Sequence, residues 1–204
     1  MNPKKSLTPF VLLFGLLGLP AALATSVRTV NMADMVRYAD RVFRGRCLSV
    51  TRTDAVAGFA ALEYTFEIVE GIKGVRTGDT IVFRQVQSGR GTLGAIPGIP
   101  HYQSGQEIVL FLHADSRIGL TSPVGLSQGV FRLRRGDKGE ISVLNGLGNR
   151  NLGLALASAT AREMGLTRQE DERLHQGGPL PLTTLFSAVR KIDRYQRSRA
   201  RVLR

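Results

Sequence analysis

Tryptophan is absent from this 204-residue chain, cysteine occurs once and histidine three times. Each scarcity removes a class of explanation. A lone Cys47 forms no internal disulfide, so a disulfide framework is excluded and core packing alone must hold the fold. Cys47 itself reads as a small buried hydrophobe. His101, His113 and His175 stand far apart, with no pair at the i, i+4 spacing of a zinc-binding helix. No metal and no cofactor are therefore expected. Aromatic residues make up 6% of the chain, too few for a stacking platform, so nucleic acid is not an expected partner. No isolated pair of acids stands out as a general acid/base couple. Acids are also outnumbered, 16 against 28 basic residues, for a net charge of +12 carried mostly by arginine.

Long apolar runs are scarce too, and the clearest one lies near the start. Lys4 and Lys5 precede Phe10–Leu19 (FVLLFGLLGL), and Ala22-Leu23-Ala24 gives a small-x-small pattern. This predicts a signal peptide over residues 1–24, cleaved after Ala24, and a periplasmic or secreted product. The run is short for a bilayer span and no second one follows, so no membrane span is expected after cleavage.

What remains is a hydrophobic fraction of 43%, ample for a core. Asn31 is placed to cap a short helix, with Asp34 at the capping-box spacing. Met32, Met35, Val36 and Ala39 then form one apolar stripe. Strand-like runs follow. Arg41–Arg52 carries Cys47. In Leu62–Val69, Leu62, Tyr64, Phe66 and Ile68 share a face. Thr80–Val86 is the third run. Residues 88–105, rich in glycine and proline, read as a loop. Glu107–His113 is apolar on both faces, as a fully buried strand would be. Val130–Arg134 and Glu140–Leu144 form a hairpin about Arg135–Gly139. Strands at this spacing predict a mainly β domain over residues 25–145, a small barrel or sandwich.

After Asn145 the composition turns polar. Residues 146–181 read as a polar linker or excursion, with a helix conceivable over Leu154–Met164. Residues 182–204 form an amphipathic basic helix that Thr183 or Thr184 is placed to cap. Leu182, Leu185, Phe186, Val189 and Ile192 make its apolar face. Arg190, Arg194, Arg197, Arg201 and Arg204 make a stripe on another face, a candidate site for an anionic envelope surface or other partner. The alternative is a solvated face, helped by arginines near the helix C-terminus.

Two motif matches lack their structural context. Gly89–Gly94 fits G-x-G-x-x-G, but Pro97 and Pro100 follow where a phosphate-binding helix should start. Gly125–Gly129 fits G-x-S-x-G around Ser127, but leads into a strand where a nucleophile elbow leads into a helix. His101 or His113, with Asp115 in support, would also stand in the wrong chain order for that fold. A serine hydrolase using Ser127 stays as the last of three readings, and an enzyme is not expected.

Tyr38–Val50 (YADRVFRGRCLSV) resembles the opening strand of the netrin-like module, the fold of the tissue inhibitors of metalloproteinases, as found in exported bacterial proteins. Tyr64–Val69 with Ile72-Lys73-Gly74 is similar to that family's next strand and turn. Ser104–Leu112 resembles a later strand. The resemblance spans Asn31–Leu144. It implies an OB-like barrel of five to six strands, flanked here by a short N-terminal helix and a C-terminal amphipathic helix. It also implies inhibition of a secreted metalloprotease. In that family the amine and carbonyl of a disulfide-held N-terminal cysteine ligate the target's zinc. This chain, cleaved as expected, begins at Thr25 or Ser26 with no disulfide, so no inhibitory residue carries over. The first reading is thus an exported, non-catalytic module that binds a protein partner in the envelope or exterior. An envelope or polyanion binder acting through the arginine stripe is the second.

Overall fold

The structure, a computed structural model, describes residues 28–87 and 98–202. The expected leader, the Gly89–Gly94 motif and Arg204 lie outside the described residues. Among the described residues the chain is mainly β: a single antiparallel sheet of seven strands with four α-helices and one single-turn 3-10 helix.

The first helix, α1 (Met32–Tyr38), forms as its cap and stripe dictate. The Asn31 side chain accepts from the Asp34 amide at 2.9 Å, and Met32, Met35 and Val36 are fully buried. The helix passes into the sheet without a loop, since the Asp40 amide already donates to the Leu112 carbonyl at 2.8 Å. Lys73 ties this junction down by donating to the Val36 carbonyl at 2.7 Å, one of the last helical carbonyls.

The strands are β1 (Arg41–Val56), β2 (Phe59–Lys73), β3 (Thr80–Val86), β4 (Glu107–Leu112), β5 (Val130–Arg135), β6 (Ile141–Leu144) and β7 (Leu180–Pro181). Their order in the sheet is β3-β2-β1-β4-β5-β6-β7. The segment β3-β2-β1-β4 is a Greek key: three hairpin-linked strands, then a fourth returning beside the first. β1 and β2 run further than their apolar patterns suggest, meeting at Ala57-Gly58. Both turn residues have positive φ, +50° and +82°, as the twist of a tight hairpin requires. Register shifts interrupt the β1–β2 ladder, one of them between Arg44 and Gly45. A Cβ at Gly45 would lie 2.9 Å from the Phe43 ring, so the strand bends where only glycine fits.

Alternation sends the strands' side chains into two cores. Phe43, Cys47, Tyr64, Phe66, Ile68, Phe83, Ile108, Leu110 and Leu112 pack on one face. Val42, Val109, Phe111, Phe131 and Val143 pack on the other. β4 thus serves both faces, as its unbroken apolar run implied. Beyond β4, the chain reaches round to the β3 edge, where the Thr121 amide donates to the Arg84 carbonyl at 2.8 Å beside a parallel bridge from Leu120.

The second core is closed by helices: α2 (Ser158–Glu163), α3 (Arg168–Gln176) and α4 (Leu182–Val202). Residues 146–181, read from composition as a polar excursion, send Leu152, Leu156, Ala161, Leu166, Leu174 and Leu180 into it. Only Ala161 and Leu174 of these lie on the two short helices, and the rest sit in turns or in β7, so no helical periodicity marked them. α4 presents the expected face, with Leu182, Leu185, Phe186, Val189 and Ile192 buried. It starts at Leu182, directly from β7, so Thr183 and Thr184 fall inside its first turn. Glu170 joins α3 to α4. Thr167 caps α3 in a reciprocal capping box with Glu170. The same carboxylate also accepts from Ser187 Oγ at 2.6 Å and Lys191 Nζ at 2.7 Å.

Candidate functional site

A cleft of about 380 Å³ opens on the β5–β6 side of the sheet. Among the described residues it is lined by Gly98, Pro100, His101, Gln106, Ser127, Val130, Arg132, Arg134, Leu144, Asn145 and Gly146. Strand periodicity explains its chemistry. Val130 belongs to the first core, and Arg132 and Arg134 follow it on the same face. Where the core ends, this face of β5 changes from apolar to cationic. Arg135 points the other way and shares Glu107 with Arg44.

The wall holding Ser127 is built on main-chain strain and close approach. Gly125 and Leu126 have φ of +63° and +56°, which turn the chain sharply into the single turn Leu126–Gly129. A Cβ at Gly129 would fall 2.5 Å from the Val124 carbonyl. Both glycines of the G-x-S-x-G match therefore serve this turn and the strand that follows. The Ser127 carbonyl accepts from the Gly146 amide at 2.9 Å, and a Cβ at Gly146 would lie 2.5 Å from Ser127 Oγ.

Behind that wall lies a buried amide network. Asn145 Oδ1 accepts from the Leu147 and Asn149 amides at 3.0 and 2.8 Å. Its Nδ2 donates to the Gln128 carbonyl at 3.0 Å and to Asn151 Oδ1 at 2.9 Å. Asn151 Nδ2 reaches the Val30 carbonyl at 2.6 Å, and Gln128 Oε1 accepts from the Val30 amide at 2.8 Å. Each amide is buried and partnered, so the network fixes the cleft floor to the start of the described chain.

Ser127 and His101 share the cleft, but no hydrogen bond joins Ser127 to a histidine among the described residues. His101 Nδ1 lies 3.4 Å from the Tyr64 hydroxyl. Asp115 is paired with Arg41. His113 is held through its main chain, its carbonyl accepting from Thr121 Oγ1 at 2.8 Å. His175 lies on α3, its Nδ1 2.9 Å from the Asp171 carbonyl. Among the described residues these groups thus form no hydrogen-bonded relay. Among the described residues of the first core, the thiol and phenol side chains are not activated as nucleophiles. Burial raises the Cys47 thiol above its ordinary value, pushes Tyr64 to about 12 and lifts Tyr102 well above its usual range. Among the described residues no group of three acidic, histidine or cysteine side chains is placed to hold a metal ion.

The arginine stripe of α4 is partly engaged. Arg190 pairs with Glu70 of β2 at 2.8 Å and lies over the Phe186 ring at 5.9 Å. Arg197 pairs with Asp193 at 2.8 Å. Arg194 and Arg201 are exposed, and neither has a carboxylate within 4.0 Å among the described residues. Sequence reasoning missed Arg132 and Arg134. Their signal was the alternation of Val130-Phe131-Arg132-Leu133-Arg134, which puts arginines on the face that Val130 buries.

No family model, curated protein or solved structure matches this chain.

Proposed function

We propose that the chain is an exported, non-catalytic binding module on an OB-like, netrin-like barrel, and that its partner is a protein of the envelope or exterior, a secreted metalloprotease included. The observation that carries the non-catalytic part is that Ser127 and His101, although they share the cleft, are not hydrogen-bonded to each other, while Asp115 is committed to Arg41. The barrel reading is supported by the Greek-key order of β3-β2-β1-β4 and by the reach of Leu120 to the β3 edge. Export rests on the residue 1–24 pattern alone. Two measurements test the reading. A serine-directed fluorophosphonate should leave the folded chain unlabelled, and labelling at Ser127 would overturn it in favour of a hydrolase. Equimolar mixing with exported metalloproteases should give a complex or lost protease activity, and the absence of both would remove the inhibitor version.

A second reading, binding to an anionic envelope surface through α4, is favoured by exposed Arg194 and Arg201. Truncation at Arg190 would remove buried Ile192 along with the charges, so charge removal is the cleaner test. Salt-sensitive binding to vesicles with anionic lipid should weaken in Arg194→Gln/Arg201→Gln, and unchanged binding would end this reading.

A further inference from the structure

All 16 acidic residues of the chain fall among the described residues, because residues 1–27, 88–97 and 203–204 contain no Asp or Glu. Where those acids lie is therefore fully accounted for. Glu107 takes Arg44 and Arg135, Glu63 takes Arg84, Glu70 takes Arg190, Asp115 takes Arg41 and Asp193 takes Arg197. No acid side chain lines the cleft, and none pairs with Arg132 or Arg134. The two guanidinium groups spring from positions i and i+2 of one strand, about 7 Å apart at the backbone. Around them stand the polar side chains of Ser127, Gln106 and His101, with Val130, Leu144 and Pro100 as apolar walls.

We propose that this cleft is a binding site for a compact organic anion, a small molecule bearing one or two carboxylate or phosphate groups. The inference rests on the binding-module reading and names a small ligand for it. Four features point the same way. Two unpaired arginines in one cleft repel each other, and an oxyanion between them relieves that repulsion while forming charge-assisted hydrogen bonds. Apolar walls lower the local dielectric and strengthen those bonds relative to open surface. The volume sits at the small end of ligand pockets, about 300–1,000 Å³, which suits a metabolite-sized molecule better than a polymer. Finally, the Asn145 network and the Gly146–Ser127 contact hold the floor rigid, so little ordering cost attends binding.

The experiment is calorimetric titration of the chain with inorganic phosphate, with succinate and with glucose 6-phosphate, at low and physiological salt. Glucose is the uncharged control. Arms with phosphate and succinate separate tetrahedral from planar oxyanions. At least one anion should bind saturably, and Arg132→Gln/Arg134→Gln should weaken it at least about tenfold, the loss of one or more hydrogen bonds to charge. Both arginines are exposed, so the variant should keep the parent's circular dichroism. Arg76→Gln/Arg173→Gln, at exposed positions outside the cleft, should bind as the parent does. Absence of binding for every anion overturns the proposal. So does equal weakening in the two double variants, which would mark diffuse surface charge. Fluorophosphonate labelling of Ser127 would overturn the non-catalytic reading without touching anion binding. Loss of anion binding in an unlabelled chain would leave that reading standing.

Discussion

Replacing Glu170 by glutamine isolates one buried charge with a known set of partners. Its side chain is 11% exposed. Burial alone would raise its pKa, but donors from Lys191, Ser187 and Thr167 outweigh that and hold it at about 2, against an ordinary 4.5. That difference corresponds to about 3 kcal/mol of stability at neutral pH. The sign follows from the direction. A depressed pKa stabilises the fold above the unfolded value of 4.5, and the gain disappears as pH falls toward about 2. Glutamine keeps the shape and does not titrate. Urea unfolding of parent and Glu170→Gln should therefore differ by about 3 kcal/mol at pH 7, and by less than half of that near pH 3. Lys191→Met, alone and combined, completes a double-mutant cycle whose coupling should itself fall with pH. A difference that stays constant from pH 7 to pH 3 would refute the reasoning, because the stabilisation would then not reside in the charge.

Gly74→Ala should cost about 2 kcal/mol or more, since φ is +69° and a Cβ would sit 2.3 Å from the Asp40 carbonyl; thermal unfolding reads this directly. Asn145→Ala should cost about 3 kcal/mol by stranding the Leu147 and Asn149 amides and Asn151 Oδ1, and an unchanged midpoint would mean that water replaces the side chain. Cys47 is buried and its thiol pKa is raised, so iodoacetamide at pH 8 should modify it only after denaturation.

Local features were legible in the residues. The Asn31 cap and the Met32–Ala39 stripe defined α1, because both depend on neighbours within two turns. The alternation of Leu62, Tyr64, Phe66 and Ile68 defined the buried face of β2, and the unbroken Glu107–His113 run gave a strand covered on both sides. Features that depend on distant partners were not legible. Asn145, Asn149 and Asn151 look like loop residues, yet they are buried, with Asn151 bonding a carbonyl 121 positions away. Leu152, Leu156 and Leu166 sit in turns and connections without a helical or strand period, and Leu174 stands among the charged residues of α3, so none read as core. Ser127 and the α4 arginines drew attention by motif and by charge run. Arg132 and Arg134 carry as much charge but sit inside an ordinary hairpin, and only the strand's face reveals where they point.

The contact between α1 and α4 governs when this chain can finish folding. Gln196 Nε2 donates to the Ala33 carbonyl at 2.8 Å across 163 positions. Met32, Met35 and Val36 belong to the same core as Leu185, Val189 and Ile192. During synthesis the methionine stripe emerges before the sheet, while the residues of α4 that cover it follow β7. Contacts this distant make closure slow and leave sticky surface uncovered meanwhile. A nascent chain stalled before Leu182 would present that stripe to any chaperone able to hold it, and release should follow once α4 is complete.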